Sequence, residues 1–218
     1  MGIRIVHRGT QADIAVVQQV FLARDYDLTR LRRHDEIQRF YQRCARPLIV
    51  DAGANIGASS VWFARTYPKA IVKAVEPHPG NFAVLTKNVS GLNVTSKCAA
   101  VAPRPGVLRL LDPGGGDWAF RTGDSEGVDL GEVPALTIES LIEPGEEPFI
   151  CKIDIEGGEA DLFESAVFSR FPVVVIELHD WMIPKGRTSQ SFLRWHVQQD
   201  RDFVYINENI FSICNRLL

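Results

Sequence analysis

The sequence has no surplus of positive charge and no long hydrophobic run. Its 24 Lys and Arg are outnumbered by 27 Asp and Glu, a formal net charge of -3, which argues against a polybasic surface for nucleic acid or anionic lipid. Every apolar run is far shorter than the roughly 20 residues that cross a bilayer, and the N-terminal stretch MGIRIVHRGTQAD lacks the apolar centre of a secretion signal. We therefore expect a soluble, cytoplasmic protein that binds neither nucleic acid nor a membrane.

Cysteine is scarce and has no metal-binding spacing. The four cysteines, Cys44, Cys98, Cys151 and Cys214, include no CxxC pair, and three of them lie in apolar runs typical of strands. This pattern predicts buried, reduced thiols. It argues against a cysteine zinc site and against a disulfide framework.

The rest of the chain alternates between two kinds of segment. Apolar runs such as PLIVDAG, AIVKAVEP, FICKIDIEG and PVVVIELHD are separated by amphipathic stretches such as ASSVWFARTYP and EADLFESAVFSR. Strands that are apolar on both faces and alternate with helices predict a parallel sheet covered by helices on each side. The 218 residues, 45% of them hydrophobic, suffice for one such core, so the sequence predicts one α/β domain of the doubly wound type.

Two segments interrupt this alternation. Residues 10–41 have the apolar periodicity of a helix, and we assign residues 1–45 to a helical lead-in that either caps the ligand-binding edge of the sheet or packs on its flank. Residues 103–134 are rich in Gly, Pro and Asp. This composition predicts a hairpin inserted into the main domain, which we assign to residues 46–218.

The first predicted strand runs into a glycine-rich turn. In LIVDAGANIGASSVWFA the strand ends at Asp51, and the turn carries Gly53, Asn55 and Gly57 before a helix begins. Glycine lets a ligand approach the backbone, and a helix N-terminus offers unpaired N–H groups. Glycine in such a turn also serves purely conformational needs. The pyrophosphate pattern G-x-G-x-x-G is absent, and Asp51 would repel a diphosphate but attract an ammonium group.

The next predicted strand ends in a second acid. Glu76 closes AIVKAVEP about 25 residues after Asp51, where dinucleotide-binding folds place an acid that accepts hydrogen bonds from ribose hydroxyls. The sequence thus predicts a nucleoside-binding site that lacks a phosphate-binding loop. S-Adenosylmethionine carries a ribose, a sulfonium and an ammonium group but no phosphate, so it suits this charge pattern better than NAD does.

The segments VDAGANIGASSVWFA, VEPHPGNFAVLTKN, CKIDIEGGEADLF and VVVIELHD, in this order, resemble the FkbM-type S-adenosylmethionine-dependent methyltransferases. The resemblance extends from about Arg46 to the C-terminus. It implies a class I methyltransferase fold, which is Rossmann-like, with a seven-stranded, mostly parallel sheet whose last strand, NIFSICN, is antiparallel. It also implies methyl transfer to a hydroxyl oxygen of a sugar, polyketide or similar small metabolite.

The resemblance further implies roles for single residues. The glycine-rich loop would wrap the methionine part of the cofactor through backbone groups. The loop residues are Gly53, Ala54, Asn55 and Gly57. Asp51 would lie near the ammonium group of the cofactor, and Glu76 would accept hydrogen bonds from both ribose hydroxyls.

Two later strands end in titratable residues. KIDIEGGE and IELHD present Asp154, Glu156, Glu159, Glu177, His179 and Asp180. Because the carboxyl ends of parallel strands meet at one edge of a sheet, we expect these side chains to converge beside the methyl donor.

This acidic edge supports two chemical hypotheses. In the first, which we favour, His179 is the general base that accepts the proton of the substrate hydroxyl, and Asp154 or Glu156 orients it. In the second, Asp154, Glu177 and Asp180 hold Mg²⁺, which acidifies the hydroxyl.

Two neighbouring charged residues are expected to have structural roles. Glu159 follows the glycines that lead into a predicted helix, where an acid complements the helix dipole. Lys152 lies inside an apolar run, which predicts a packed side chain.

Two other functions remain open from the sequence. A Rossmann-type sheet also serves NAD-linked oxidoreductases, against which Asp51 and the absent G-x-G-x-x-G argue. A non-catalytic protein could keep the cofactor site alone, but converging titratable groups argue against it. The sequence leaves open the identity of the acceptor, the need for a metal and whether the chain forms a homo-oligomer.

Overall fold

The computed structural model describes residues 3–112, 114, 121–122 and 127–217. Its α-helices are α1 (Gln11–Gln18), α2 (His34–Arg43), α3 (Ala58–Thr66), α4 (Pro79–Asn88) and α5 (Gln190–Val197). Its strands are β1 (Pro47–Ala52), β2 (Ile71–Glu76), β3 (Val94–Cys98), β4 (Ala100–Val101), β5 (Gly106–Asp112), β6 (Arg121–Thr122), β7 (Val128–Leu136), β8 (Glu147–Ile153), β9 (Val173–Glu177), β10 (Arg201–Ile206) and β11 (Asn209–Cys214). A π-helix spans Gln19–Ala23, and 3₁₀-helices span Leu28–Arg30, Glu139–Leu141, Leu162–Glu164 and Ala166–Arg170. None of the helices in the described part of the chain is long and apolar enough to cross a membrane.

Seven strands form the main sheet, in the order β10-β11-β9-β8-β1-β2-β3. Strands β3, β2, β1, β8 and β9 pair in parallel, whereas β11 is antiparallel to both of its neighbours. This topology confirms the predicted α/β fold of the class I methyltransferase type, with a seven-stranded, mostly parallel sheet and an antiparallel last strand. The chain order reverses at β1, so a crevice for ligands opens at the carboxyl end of this strand.

Strand β1 illustrates why the sheet is buried on both faces. All of its residues are buried, and successive side chains of a strand point to opposite faces. Leu48 and Val50 belong to the core that includes the two 3₁₀-helices after β8 and part of α5, whereas Ile49 belongs to the core that includes α2 and α3. The continuous apolar run is therefore explained by two separate cores.

A smaller sheet contains the segment predicted as an insertion. Its strand order is β4-β7-β5-β6, and β5 and β7 pair antiparallel as the two arms of a hairpin. Residues 113, 115–120 and 123–126 of this segment lie outside the described part of the chain.

The lead-in is built from several short helices. Helix α1 passes into the π-helix, which ends where Arg24 adopts a left-handed φ of 58°. A 3₁₀ turn capped by Asp27 follows, and then α2. An L-residue in the left-handed region ends a right-handed helix, because the chain direction changes there.

A second departure from the predicted elements follows β8. The pattern EADLFESAVFSR predicts an α-helix, but two 3₁₀-helices are found, separated by Ser165 in an extended conformation. The hydroxyl of Ser165 accepts a hydrogen bond from the N–H of Val167 at 3.1 Å, and such local bonds compete with helix formation. Phe163 and Phe168 nevertheless reach the core, so the apolar pattern is satisfied without an α-helix.

Candidate active site

The glycine turn after β1 is shaped by the protein's own backbone. Gly53 has a φ of +76°, and a Cβ at this position would lie 1.6 Å from the carbonyl oxygen of Asp154, just after β8. Gly57 precedes α3 with a φ of +83°, and a Cβ there would lie 3.1 Å from Leu85. These two glycines therefore serve the left-handed turn and the close approach of neighbouring segments, independently of any ligand.

The N–H groups of the turn are engaged inside the protein. Gly53 and Ala54 both donate to the carbonyl oxygen of Val75 at 3.0 Å, and Asn55 donates to Glu76 Oε2 at 2.9 Å. These three N–H groups therefore already have acceptors inside the protein, and the hold of the loop's backbone groups on the methionine part of a cofactor stays a prediction. Engaged N–H groups offer little to a pyrophosphate, so a ligand without phosphate fits the turn better.

Glu76 ends β2 beside this turn and is 5% exposed. Its Oε1 accepts hydrogen bonds from the N–H of His78 at 3.0 Å and from Asn81 Nδ2 at 3.3 Å, while Oε2 accepts the bond from Asn55. A carboxylate has about four lone-pair positions, so these donors leave capacity for about one further hydroxyl rather than the predicted two. Burial raises the pKa of Glu76 to about 7, although the hydrogen bonds from His78, Asn55 and Asn81 oppose this shift.

Asp51 and Lys152 form a buried ion pair beneath the turn. Asp51 is 0% exposed, and its Oδ2 accepts hydrogen bonds from the hydroxyls of Ser59 and Ser60 at 2.7 and 2.6 Å. Lys152 Nζ lies 3.3 Å from Asp51 Oδ1 and donates to the carbonyl oxygen of Gly53 at 2.6 Å. The predicted contact between Asp51 and a ligand ammonium is therefore replaced by an ion pair inside the protein.

Two clefts open beside the turn. The loop cleft is lined by residues of the turn together with Val20, Tyr26, Glu76, Asn81, Ala100 and Lys152. The acid cleft is lined by Ala15, Glu177, His179, Trp181, Met182 and Glu208. Asn55, Asp154 and Glu156 line both clefts, as do Val16 and Gln19 of the lead-in. The two clefts therefore share a wall, and the lead-in lies over the carboxyl edge of the sheet at this point.

His179 lies at the centre of what we call the acid–histidine cluster, which consists of Asp154, Glu156, Glu159, Glu177 and His179. The imidazole is 2% exposed, and its Nδ1 lies 2.9 Å from Glu159 Oε1. Its Nε2 lies 3.7 Å from Asp154 Oδ1 and 3.6 Å from both Glu156 Oε2 and Glu177 Oε1. These three separations exceed the length of a hydrogen bond. The predicted catalytic residues are thus brought together, around a ring that is anchored from behind.

The charges of the cluster shift its pKa values. Burial acts to lower the pKa of His179, but the hydrogen bond to Glu159 and the charges of Glu159, Asp154 and Glu156 raise it to about 9. Burial and then the charge of Asp154 raise the pKa of Glu156 to about 8 and that of Glu177 to about 7. As long as no cation is bound, the surrounding carboxylates therefore favour the protonated imidazole, and the base role of His179 stays a prediction.

The predicted magnesium ligands are not gathered at one point. Among the described residues, Asp154, Glu156 and His179 offer ligand atoms that all lie within 4.8 Å of one another. Asp180, in contrast, accepts a hydrogen bond from the N–H of Ser189 at 3.1 Å, in the segment before α5. The group therefore shares only Asp154 with the predicted set: it includes Glu156 and His179, and it includes neither Glu177 nor Asp180.

Two residues of the site have roles that the sequence pattern does not predict. Glu159 is fully buried and anchors His179 instead of complementing a helix N-terminus. Lys152 connects the turn to the cluster, because its Nζ also lies 3.4 Å from Asp154 Oδ2. The signal that could have revealed Lys152 is its charge within an apolar strand, since a buried charge requires a partner.

Two curated methyltransferases are similar to part of this chain. Methyltransferase sdnD of Sordaria araneosa is 35% identical over 75 residues, which are 34% of this chain and 24% of that protein. Methyltransferase 1 of Beauveria bassiana (strain ARSEF 2860) is 40% identical over 47 residues, or 22% of this chain and 19% of that protein. The chain thus matches less than a quarter of the length of these curated relatives.

Solved structures with a similar course of the chain have low sequence identity to it. The O-methyltransferase TomG from Streptomyces achromogenes, solved with S-adenosylmethionine, is 14% identical, with a TM-score of 0.45 over 97% of this chain and 92% of that chain. Precorrin-6y C5,15-methyltransferase from Geobacter metallireducens GS-15 is 14% identical, with a TM-score of 0.43 over 83% of this chain and 84% of that chain.

The match to a family covers most of the chain. Residues 51–205 match the family described as the methyltransferase FkbM domain. This range includes the glycine turn, Glu76 and the whole acid–histidine cluster. It also includes the lining of both clefts except for Glu208 and the residues of the lead-in. The resemblance seen in the sequence is confirmed, and the chain belongs to the FkbM methyltransferase family.

Proposed function

We propose that the protein is an S-adenosylmethionine-dependent O-methyltransferase whose acceptor is a hydroxyl group of a small molecule such as a sugar or polyketide. The observation that carries the proposal is the wall of Asn55, Asp154 and Glu156 shared by the loop cleft and the acid cleft. A donor in the first cleft and an acceptor in the second would meet at this wall. Membership of the FkbM family supports the choice of a methyl donor.

The loop cleft has the charges that this donor requires. S-Adenosylmethionine supplies a methyl group on a cationic sulfur, which makes it reactive toward an oxygen nucleophile. Glu76 has capacity for a ribose hydroxyl, and the carboxylates of Asp154 and Glu156 border the same cleft. Carboxylates attract a sulfonium and repel a diphosphate, and the N–H groups of Gly53 and Ala54 are already engaged. Both facts favour this donor over NAD.

The acid cleft suits a hydroxylated acceptor without negative charge. Its lining combines the carboxylates of Glu177 and Glu208 with the side chains of Trp181 and Met182. The acids would repel an anionic acceptor, while the apolar side chains offer contact area to a ring. The net charge of -3 likewise disfavours nucleic acid and anionic membrane as partners.

The protein's own contribution to the transfer is positioning and proton acceptance. As the acceptor's O–C bond forms and the C–S bond of the donor breaks, the hydroxyl proton passes to a carboxylate of the acid–histidine cluster. Holding the oxygen, the methyl group and the sulfur in line supplies most of the acceleration, because the sulfur is already a good leaving group. The shared wall is where this alignment would be enforced.

Calorimetry with S-adenosylhomocysteine tests the donor site. Wild-type protein should bind this product, and Glu76→Gln should bind it at least tenfold more weakly, because a hydrogen bond to a charged group contributes about 1.5–3 kcal/mol. Glu132→Gln, at an exposed position of β7, is the matched control and should bind like wild type. Binding of NAD in place of S-adenosylhomocysteine would favour an oxidoreductase and contradict the proposal.

Product formation tests the reaction itself. Incubation with S-adenosylmethionine and a panel of glycosides and natural-product alcohols should release S-adenosylhomocysteine with at least one acceptor. If the donor binds and no hydroxylated acceptor supports release, the protein is a cofactor-binding protein without O-methyltransferase activity.

A further inference from the structure

We infer that the acid–histidine cluster binds one divalent transition-metal cation of the Mn²⁺ type through His179 Nε2 and carboxylate oxygens of Asp154 and Glu156, with Glu177 in reach. The inference deepens the proposed function and rests on it for the purpose of the ion, which is to hold the acceptor hydroxyl beside the methyl donor. The metal site itself is argued from the geometry of the cluster.

The distances from Nε2 of His179 to the neighbouring carboxylates come close to those between atoms that share an ion. Nε2 of His179 lies 3.6–3.7 Å from oxygens of Asp154, Glu156 and Glu177, too far for hydrogen bonds. Two ligand atoms that each lie about 2.1 Å from one cation, at an angle of about 90–120°, are about 3.0–3.6 Å apart. The observed distances reach the upper end of this range, so small side-chain movements would complete the coordination.

The imidazole provides a second and independent observation. Its side chain is 2% exposed, and Nε2 has no hydrogen-bond partner among the residues that the structure describes. The opposite ring nitrogen, Nδ1, is held at 2.9 Å by the buried carboxylate of Glu159. Histidines that bind metals almost always donate their other N–H to a carboxylate or carbonyl oxygen, which turns the free nitrogen toward the ion. His179 therefore has both the orientation and the support of a metal ligand.

The mixture of donor atoms selects the kind of ion. Carboxylate oxygens suit Mg²⁺, Ca²⁺ and Mn²⁺, whereas imidazole suits transition metals and is a poor ligand for Mg²⁺. The described group of Asp154, Glu156 and His179 contains both donor types. A cation would also relieve the repulsion among three neighbouring carboxylates. The donor atoms thus favour a divalent transition-metal cation such as Mn²⁺. They disfavour the Mg²⁺ that was predicted to bind Asp154, Glu177 and Asp180.

The location of the site gives the ion a use. Asp154 and Glu156 line both the loop cleft and the acid cleft, so the ion would lie where donor and acceptor meet. Its positive charge would favour loss of the acceptor's proton and would fix the position of the oxygen that attacks.

Binding of Mn²⁺ alone tests the site without donor or acceptor. Protein that has been dialysed against a chelator is titrated with MnCl₂, and free Mn²⁺ is measured by electron paramagnetic resonance. We expect one ion per chain in wild type and in Asp180→Asn, and at least tenfold weaker binding in Glu156→Gln and in His179→Gln. In a competition titration, displacement of half of the bound Mn²⁺ should require more than a tenfold excess of MgCl₂.

Three results would overturn the inference: the absence of a stoichiometric site, equal binding by wild type, Glu156→Gln and His179→Gln, or displacement of Mn²⁺ by equimolar Mg²⁺. Circular dichroism identifies a variant that fails to fold, and if His179→Gln does so, Glu156→Gln decides. S-Adenosylhomocysteine calorimetry on the same samples keeps the two proposals distinct. Product binding without Mn²⁺ binding refutes the metal site alone, whereas Mn²⁺ binding without product binding refutes the methyltransferase proposal alone.

Discussion

Glu159 Oε1 lies 2.9 Å from Nδ1 of His179, and both side chains are buried. A ring held at Nδ1 must present Nε2 on its opposite side, which is where Asp154, Glu156 and Glu177 lie. Glu159 itself lines neither cleft. Glu159 therefore positions the imidazole from behind the acid cleft.

Removal of this support should lower turnover and leave donor binding intact. Glu159→Gln keeps a hydrogen-bond acceptor for Nδ1 and is expected to lower kcat about tenfold, whereas Glu159→Leu removes the acceptor and should lower it about 100-fold. S-Adenosylhomocysteine affinity should stay within about twofold of wild type in both variants, because Glu159 lies outside the loop cleft. Steady-state kinetics and calorimetry measure the two quantities, and full turnover in Glu159→Leu would contradict the positioning role.

Donor binding should weaken below neutral pH because of Glu76. Its pKa is raised to about 7 by burial, so this carboxylate, which we propose accepts a ribose hydroxyl, is mostly ionised at pH 8 and mostly protonated at pH 6. Affinity for S-adenosylhomocysteine should therefore fall about tenfold from pH 8 to pH 6. In Glu76→Gln the affinity for S-adenosylhomocysteine should be lower and nearly independent of pH over this range. If the affinity of this variant fell as steeply with pH as that of wild type, the titrating group would be another residue.

Because of Glu76, the stability of the ligand-free protein should fall as the pH rises, whereas donor binding strengthens. The unfolded chain releases this proton near the ordinary glutamate pKa of 4.5, whereas the folded protein keeps it up to about pH 7. The stabilisation from the retained proton is full below pH 4.5 and is lost as the pH rises to 7, by up to about 3 kcal/mol. Urea unfolding of wild type and Glu76→Gln should show a difference that changes with pH in this window, and a constant difference would contradict the raised pKa.

Gly53→Ala should be far more damaging than the same change at Gly91. Both glycines have a φ of +76°, but a Cβ at Gly53 would lie 1.6 Å from the carbonyl oxygen of Asp154, whereas nothing lies within 4 Å of one at Gly91. We expect Gly91→Ala to cost about 1–2 kcal/mol of unfolding free energy from the left-handed conformation alone. Gly53→Ala should cost at least twice as much in a urea titration, and equal costs would show that the turn has room to adjust.

Lys152→Met should destabilise the protein because Asp51 is then left buried and uncompensated. Loss of one partner of a buried ion pair costs about 3–5 kcal/mol, and Lys152 also donates to the carbonyl oxygen of Gly53 at 2.6 Å. The double variant Lys152→Met with Asp51→Asn should lose less than the sum of the two single variants. Urea unfolding in a double-mutant cycle measures this coupling, and strict additivity would contradict the ion pair.

The order of the elements and the course of the sheet were accessible from the sequence, because they depend on patterns repeated over neighbouring residues. The apolar run at β1 predicts a strand buried on both faces, and the family motifs predict the antiparallel strand β11. Glu76 was identifiable as well, since its position at a strand end follows from the length of the run before it. The exceptions were segments such as the one around Ser165, where two 3₁₀-helices stand in place of the predicted α-helix and the serine hydroxyl accepts a local bond.

The partner of each polar group was decided only by the tertiary structure. The sequence places Asp51, Lys152, Glu159, His179 and Asp180 near one edge of the sheet, but it does not determine which of them meet. Asp51 pairs with Lys152 across about 100 positions of the chain, His179 is held by Glu159, and Asp180 accepts a hydrogen bond from Ser189. Hydrophobic periodicity is a local property that a chain carries in its composition, whereas ion pairs and hydrogen bonds depend on distances of a few ångströms that exist only once the strands have been brought together.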